Sequence, residues 1–464
     1  MLKADVWALS PIDGRYLGKT SSLRTHFSEA ALISSRIKIE LLYLLSLSEI
    51  GVVRQLSVKE KKILRLLQNV DETAILRVKE VEQETHHDVK AVEYYLREQL
   101  NEHGLTDLTS FLHFAITSED INNIAYRLMT SQAVEQVMWP ALGGLLLDLK
   151  QLIDEQAALP ILARTHGQAA IPSTFGKEWA VFAKRILPLL KELQEFKFHA
   201  KFSGAVGGYQ AMSFAYPAID WPKFSAKLVK SLGFDLASVS TQICPPDDLI
   251  KLFGIFYRLN GVLLDLNQDV WRYISDGWLL QKGKEKFVGS STMPQKINPI
   301  EFENSEGNLV MANAMLEGMM RKLPVSRLQR DLSDSTVMRN VGSVFAYCLL
   351  AYQSLDEGLS KLAVDQTATE HALHHNYNIL SEAWQTLARK NGDQSAYEKV
   401  ALLSKNKVIS AADWLVLSKD MPDELRQLSP DTYLGLSIDL AKQTVLEISD
   451  FLASISQLSI NRKG

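Results

Sequence analysis

The residues best equipped for chemistry sit in Gly289-Ser-Ser-Thr-Met-Pro-Gln-Lys-Ile-Asn-Pro299. One glycine and two prolines make the stretch a loop. Its hydroxyls, backbone N–H groups and the Lys296 ammonium are suited to holding carboxylates, and Ser290 or Ser291 could serve as nucleophile or base. A second stretch, Arg164-Thr-His-Gly-Gln168, carries an imidazole. A lone histidine is as often a structural hydrogen-bonder as a catalyst. Its ordinary pKa near ~6.5 nonetheless suits His166 to proton transfer at neutral pH.

Thr85-His-His-Asp88 and Thr117-Ser-Glu-Asp120 each read as a capping box, a threonine N-cap with an acid three residues on. Such starts also leave N–H groups for an anion. His371, His374 and His375 share a helix face without the acids or thiols of a familiar ligand set, so no metal is expected. With no phosphate-cradling glycine loop after a strand, nucleotide hydrolysis and dinucleotide redox chemistry lack support.

Helices must position these groups. From Asp247 to about Gly283, Leu249, Leu252, Phe256, Leu259, Leu263, Leu266, Val270 and Tyr273 recur at three- and four-residue steps. That spacing predicts one packed seam of a bundle. Further long helices are expected over about 134–158, 175–201 (with a kink at Pro188), 303–321 and 333–362, flanked by shorter helical pieces. The fold class expected is all-α, with domains over 1–110, 111–364 (the long-helix bundle) and 365–464. Wide apolar faces on such helices call for copies of the same chain to cover them.

The chain has 464 residues, a net charge of −4 and two cysteines, Cys244 and Cys348. An acidic chain makes a poor partner for nucleic acid or a membrane surface. Two distant cysteines suit a reducing compartment. The start of the chain lacks a signal-peptide pattern and no apolar run reaches ~20 residues, so a cytoplasmic location is expected.

The loop 289–299 resembles the signature loop of the fumarase/aspartase superfamily. Within it, Ser10-Pro-Ile-Asp-Gly-Arg-Tyr16, His87-Asp-Val-Lys-Ala-Val-Glu-Tyr-Tyr-Leu96, Thr117-Ser-Glu-Asp-Ile-Asn-Asn123, Arg164–Gln168, Ile300–Asn308 and Leu323–Asn340 resemble the adenylosuccinate lyase family, its bacterial long-chain branch above all. The resemblance implies a three-domain, all-α subunit built on a fumarase/aspartase-type bundle. It also implies a homotetramer with shared active sites, no cofactor, and elimination of fumarate from adenylosuccinate and from SAICAR. It makes His166 the general acid and Ser290 the base. Ser291, Lys296 and Asn298 then meet the charge that develops on the succinyl carboxylate. Arg15, Tyr16, Arg330, Ser335 and Arg339 become nucleotide and phosphate contacts. His86, His87, Asp88, Thr117, Ser118, Gln242 and Asn304 become the remaining substrate contacts.

Two positions depart from the family pattern. Gln295 stands where adenylosuccinate lyases usually carry His, and resembles argininosuccinate lyase there. His86 stands where the bacterial motif has Asn. The competing readings are argininosuccinate lyase and a non-catalytic helical scaffold or nucleotide-binding protein. The joint presence of His166, Ser290 and Lys296 speaks against a scaffold.

Overall fold

A computed structural model of the chain describes residues 6–282, 293, 296–405 and 408–461. Five long helices lie in the middle of the chain, Asp247–Ser275, Ile300–Lys322, Val341–Leu359, Phe175–Gln194 and Trp139–Glu155; the flanks, expected to hold only shorter pieces, also carry long ones, Glu29–Glu49 and Ser437–Asn461, and the fold is all-α. The backbone clusters into two compact units, one of Met1–Ala141, Glu192–Asn260 and Asn308–Leu350, the other of Leu142–Lys191, Gly261–Gly307 and Ala351–Gly464. Each of the five long helices contributes residues to both units.

Within the first unit, the predicted seam buries Leu249, Leu252, Phe256 and Leu259. The Phe256 ring meets Phe345 edge-on at 4.9 Å, and Phe27 stacks on Phe345 at 5.5 Å. Gly342 permits that approach, since a Cβ there would lie 2.5 Å from the Phe27 Cβ. In the second unit the seam continues through Leu263, Leu266 and Val270. Its Tyr273 is only half-buried, standing between Phe175 and Trp278 with its hydroxyl on Glu178. Burying each large apolar side chain contributes about 1.5–3 kcal/mol.

Helix ends depart from the sequence expectation for local reasons. The Asp247–Ser275 helix stops there because Gly277, just beyond it, takes a left-handed φ of 76°. The stretch expected to start at 134 is already helical from Ser118, and a π turn, Val134–Met138, links Ser118–Ala133 to Trp139–Glu155. Pro140 follows that turn, and a ring without an N–H cannot continue a regular α ladder. The expected 333–362 helix is two, Ser333–Met338 and Val341–Leu359. Residue Thr85 does not open a helix; it ends Glu72–Thr85. His87 is the N-cap of Asp88–Glu102, its Nδ1 accepting the Lys90 N–H at 3.2 Å. His86 between them is left-handed, with φ 51°. Asparagine and histidine are the side chains that tolerate this region, which accounts for the exchange seen at this position.

The helical periodicity concealed one antiparallel hairpin in the second unit, β1 (Pro160–Thr165) and β2 (Gln168–Thr174). Thr165 pairs with Gln168, leaving a two-residue loop of His166 at φ 52° and Gly167 at φ 76°. Two successive positive φ values make a type I′ turn, which matches the twist of the strands it joins. Sequence supplies the signal as His-Gly in place of the usual Asn-Gly.

In the first unit, His113 is also left-handed, at φ 53°, and Ala115 at φ 58°. Glu40 holds the bend: its carboxylate lies 2.6 Å from His113 Nδ1 and accepts the His113 N–H at 3.1 Å. Burial works against the charge on His113, but the hydrogen bond and charge of Glu40 outweigh it and raise the pKa. The pair therefore stabilises the fold fully below ~6.5, the unfolded value, and this contribution fades as pH rises through the higher folded value.

Two outcomes follow. Glu40→Gln should cost about 3 kcal/mol in urea unfolding at pH 6, with the difference from wild type shrinking as pH rises; an equal difference at pH 6 and 9 would show that His113 is not charged there. Gly167→Ala should lower stability by about 1 kcal/mol from backbone strain alone, since a Cβ there meets no atom within 4 Å. No loss in thermal melting would mean the turn relaxes to another type.

Candidate active site

Asp120 organises the first unit's share of the predicted residues. It is 0% exposed, three residues into its helix. One carboxylate oxygen accepts the Thr117 N–H at 2.9 Å, completing the predicted return half of the capping box. The carboxylate also accepts the N–H groups of Ser203 at 2.9 Å and Gly204 at 3.1 Å. Lys201, equally buried, lies 3.2 Å from it and donates to the Gly204 carbonyl at 2.7 Å. The loop after Lys201 is thereby fixed beside Thr117 and Ser118. Gln242 joins the same group, donating to the Ala205 carbonyl at 2.9 Å. Gly207 permits this approach, because any Cβ there would lie 2.1 Å from the Ser240 carbonyl oxygen.

A second group gathers on Asp88. Its carboxylate takes Arg36 at 2.7 Å and Arg339 at 3.4 Å. Burial opposes the charge, but Arg36 and then Arg339 hold the carboxyl below its ordinary range. Asn122 accepts a further Arg36 N–H at 2.9 Å. Asp88 therefore aims cations here and itself offers little to an anionic substrate. Arg36 escaped the sequence reading. Its signal was an Arg36–Glu40 pair, i and i+4, inside the apolar stripe of Glu29–Glu49.

Arg330 lies between two acids, 3.5 Å from Glu119 and 3.8 Å from Asp334. Burial pushes the Glu119 carboxyl up to about 7, against the pull of Arg330. Ser335 opens out one residue on, half-buried in Ser333–Met338. Arg15 is exposed over the Tyr16 ring, and Tyr16 is the N-cap of Leu17–Phe27. His86 and His87 are exposed at the helix junction. Arg36 and Arg339 share Asp88, and both act with Glu119 on Tyr126.

In the second unit, His166 stands exposed at the tip of the β1–β2 turn. Arg164 braces the turn, donating to the Gly167 carbonyl at 3.3 Å and lying over the Trp278 ring. Lys296 is exposed, Asn298 is half-buried, and Asn304 lies in Ile300–Lys322. Ser290, Ser291 and Gln295 lie outside the described residues. His374 does not join a ligand set; it pairs with Asp431 at 2.7 Å, and His371 stacks on His375.

The family described as Lyase matches residues 14–316, and the adenylosuccinate lyase C-terminal family matches 326–434. An adenylosuccinate lyase of Legionella pneumophila (strain Corby) is 44% identical over 94% of this chain and 98% of its own length. Those of Haemophilus influenzae and Escherichia coli (strain K12) are 42% and 41% identical, with the same coverage. Among solved structures, fumarate lyase from Mesorhizobium sp. BNC1 superposes with a TM-score of 0.76 at 18% identity, covering 92% of this chain and 97% of that one. The 3-carboxy-cis,cis-muconate lactonizing enzyme from Pseudomonas putida gives 0.75 at 18% identity, covering 93% and 98%. Those two likenesses concern the fold. The full-length identities decide the rest: the chain belongs to the adenylosuccinate lyase family of the fumarase/aspartase superfamily.

Proposed function

We propose that the chain eliminates fumarate from adenylosuccinate, leaving AMP, and from SAICAR, leaving AICAR. The observation that carries this reading is identity above 40% to adenylosuccinate lyases along 94% of the chain. In the reaction a base takes a proton from the succinyl Cβ, the electrons form the carbon–carbon double bond, and the C–N bond breaks toward nitrogen. The leaving nitrogen must take a proton to depart neutral.

His166 is the donor of that proton. Its seat on a braced two-residue turn supports the role, since the ring projects from a backbone that cannot easily shift. Ser290 is the base, and since a serine is a poor base unaided, water must be excluded where it acts. Ser291, Lys296 and Asn298 meet the charge building on the succinyl carboxylate. Arg15, Tyr16, Arg330, Ser335 and Arg339 hold the nucleotide and its phosphate. Thr117, Ser118, Gln242, His86, His87 and Asn304 line the remainder, while Asp88 acts by aiming Arg339.

The chain works as a cytoplasmic homotetramer with three domains, 1–110, 111–364 and 365–464, and its active sites are shared between copies. Exposed apolar side chains on the long helices, among them Leu147, Val181, Tyr257, Val310 and Met311, support burial against further copies. Exposure of His166 in the single chain supports sharing, because proton transfer needs a site with less water than the surface has.

The test is an ultraviolet assay with adenylosuccinate, argininosuccinate and malate in parallel, using wild type, His166→Asn and Ser290→Ala. Asparagine keeps the left-handed turn and removes only the acid. Wild type should convert adenylosuccinate alone. Each variant should lose at least ~100-fold in kcat with KM little changed. Near-normal kcat in either would remove its assigned role, and cleavage of argininosuccinate would make Gln295 the residue that sets the substrate.

A further inference from the structure

Arg330, like Arg339, is held more loosely than the other paired arginines and lysines around it. Arg127 is committed to Asp248 at 2.8 Å, Lys201 to Asp120 and Gly204, and Arg36 to Asp88. Arg330 instead touches its two acids only at 3.5 Å and 3.8 Å, beyond the ~2.7–2.9 Å of a strong charged hydrogen bond. Glu119 is nevertheless buried, with 11% of its side chain exposed against 18% for Arg330. An anion arriving at Arg330 would place a further negative charge near an enclosed carboxylate. Two negative charges that share one cation in poorly solvated space favour protonation of the weaker acid.

We propose that Glu119 is a positioning residue for Arg330: its carboxylate steadies the guanidinium while no anion is present, and docking of the substrate's anionic group draws a proton onto Glu119. The inference rests on the reading of Arg330 as an anion contact. The charged and titratable groups that act on Glu119 are Arg330, Asp334 from Ser333–Met338, Arg127 on its own helix and Lys201 beyond the His199–Ala200 strand. Tyr126 and Cys244 also feel it. Burial sets the Glu119 titration at about 7, which puts the exchange within a usable pH range.

Steady-state kinetics with adenylosuccinate from pH 6 to 8.5 tests this on wild type, Glu119→Gln, Glu119→Asp and Arg330→Gln. In wild type KM should climb above neutrality, by about fivefold over the first full pH unit beyond the titration point and approaching about tenfold per unit beyond that. Glu119→Gln should hold the low KM of acidic pH throughout, with kcat within about twofold, and Glu119→Asp should restore a pH-dependent KM. A measurement on wild type alone complements these. Calorimetric titration with AMP at pH 8 in two buffers of different ionisation enthalpy should show net proton uptake, since the phosphate's own second pKa is near ~6. A Glu119→Gln profile parallel to wild type, or AMP binding without proton uptake, would overturn the inference. If Arg330→Gln leaves KM unchanged, the anion-contact reading falls and the inference with it; if Arg330→Gln is impaired while Glu119→Gln parallels wild type, only the inference falls.

Discussion

One buried carboxylate holds together the segments of the first unit that carry Thr117, Ser118 and Gln242. Asp120, itself fully buried, takes the N–H of Thr117, those of Ser203 and Gly204, and the ammonium of the equally buried Lys201. A charge in such a place is tolerated only when it is fully paired, and losing either partner would leave the other stranded at a cost of about 3–5 kcal/mol. That requirement makes the arrangement all-or-none. The start of the Ser118–Ala133 helix, the loop after Lys201 and, through Ala205, Gln242 are in register together or not at all.

Around this anchor the chain divides its cations into two kinds. Arg127 and Lys201 are spent on structure, each tied to a buried acid. Arg330 and Arg339 touch acids at longer distances and retain donors for an anion. The net negative charge of the whole chain therefore says little about the site. What matters is which guanidinium groups are held loosely, and the acids beside them decide that. His166 follows a different logic. Its position comes from local backbone geometry, a two-residue turn whose left-handed residues leave the imidazole at the tip.

Much of the fold was legible because long helices carry their packing in their spacing. The seam from Leu249 to Val270 is buried where the periodicity predicts, and Thr117 with Asp120 begins a helix as the motif suggests. The hairpin around His166 escaped because its strands are only six and seven residues long and do not alternate apolar with polar side chains. Thr85-His-His-Asp88 misled because two histidines took over, His86 the left-handed position and His87 the cap, functions the motif assigns to other side chains. The pairings of Asp88 with Arg36 and Arg339, and of Glu119 with Arg330, join segments far apart in the chain. No local pattern encodes such distances; only the folded packing does.

Whether the Asp120 anchor shapes the substrate contacts proposed at Thr117, Ser118 and Gln242 is tested most directly by AMP binding. Calorimetry on Asp120→Asn, with the folded fraction fixed beforehand by thermal melting, reports the affinity of the altered surface. The account predicts at least a tenfold loss of AMP affinity in protein that is still folded, about 1.4 kcal/mol or more. Folded Asp120→Asn binding AMP as tightly as wild type would contradict it.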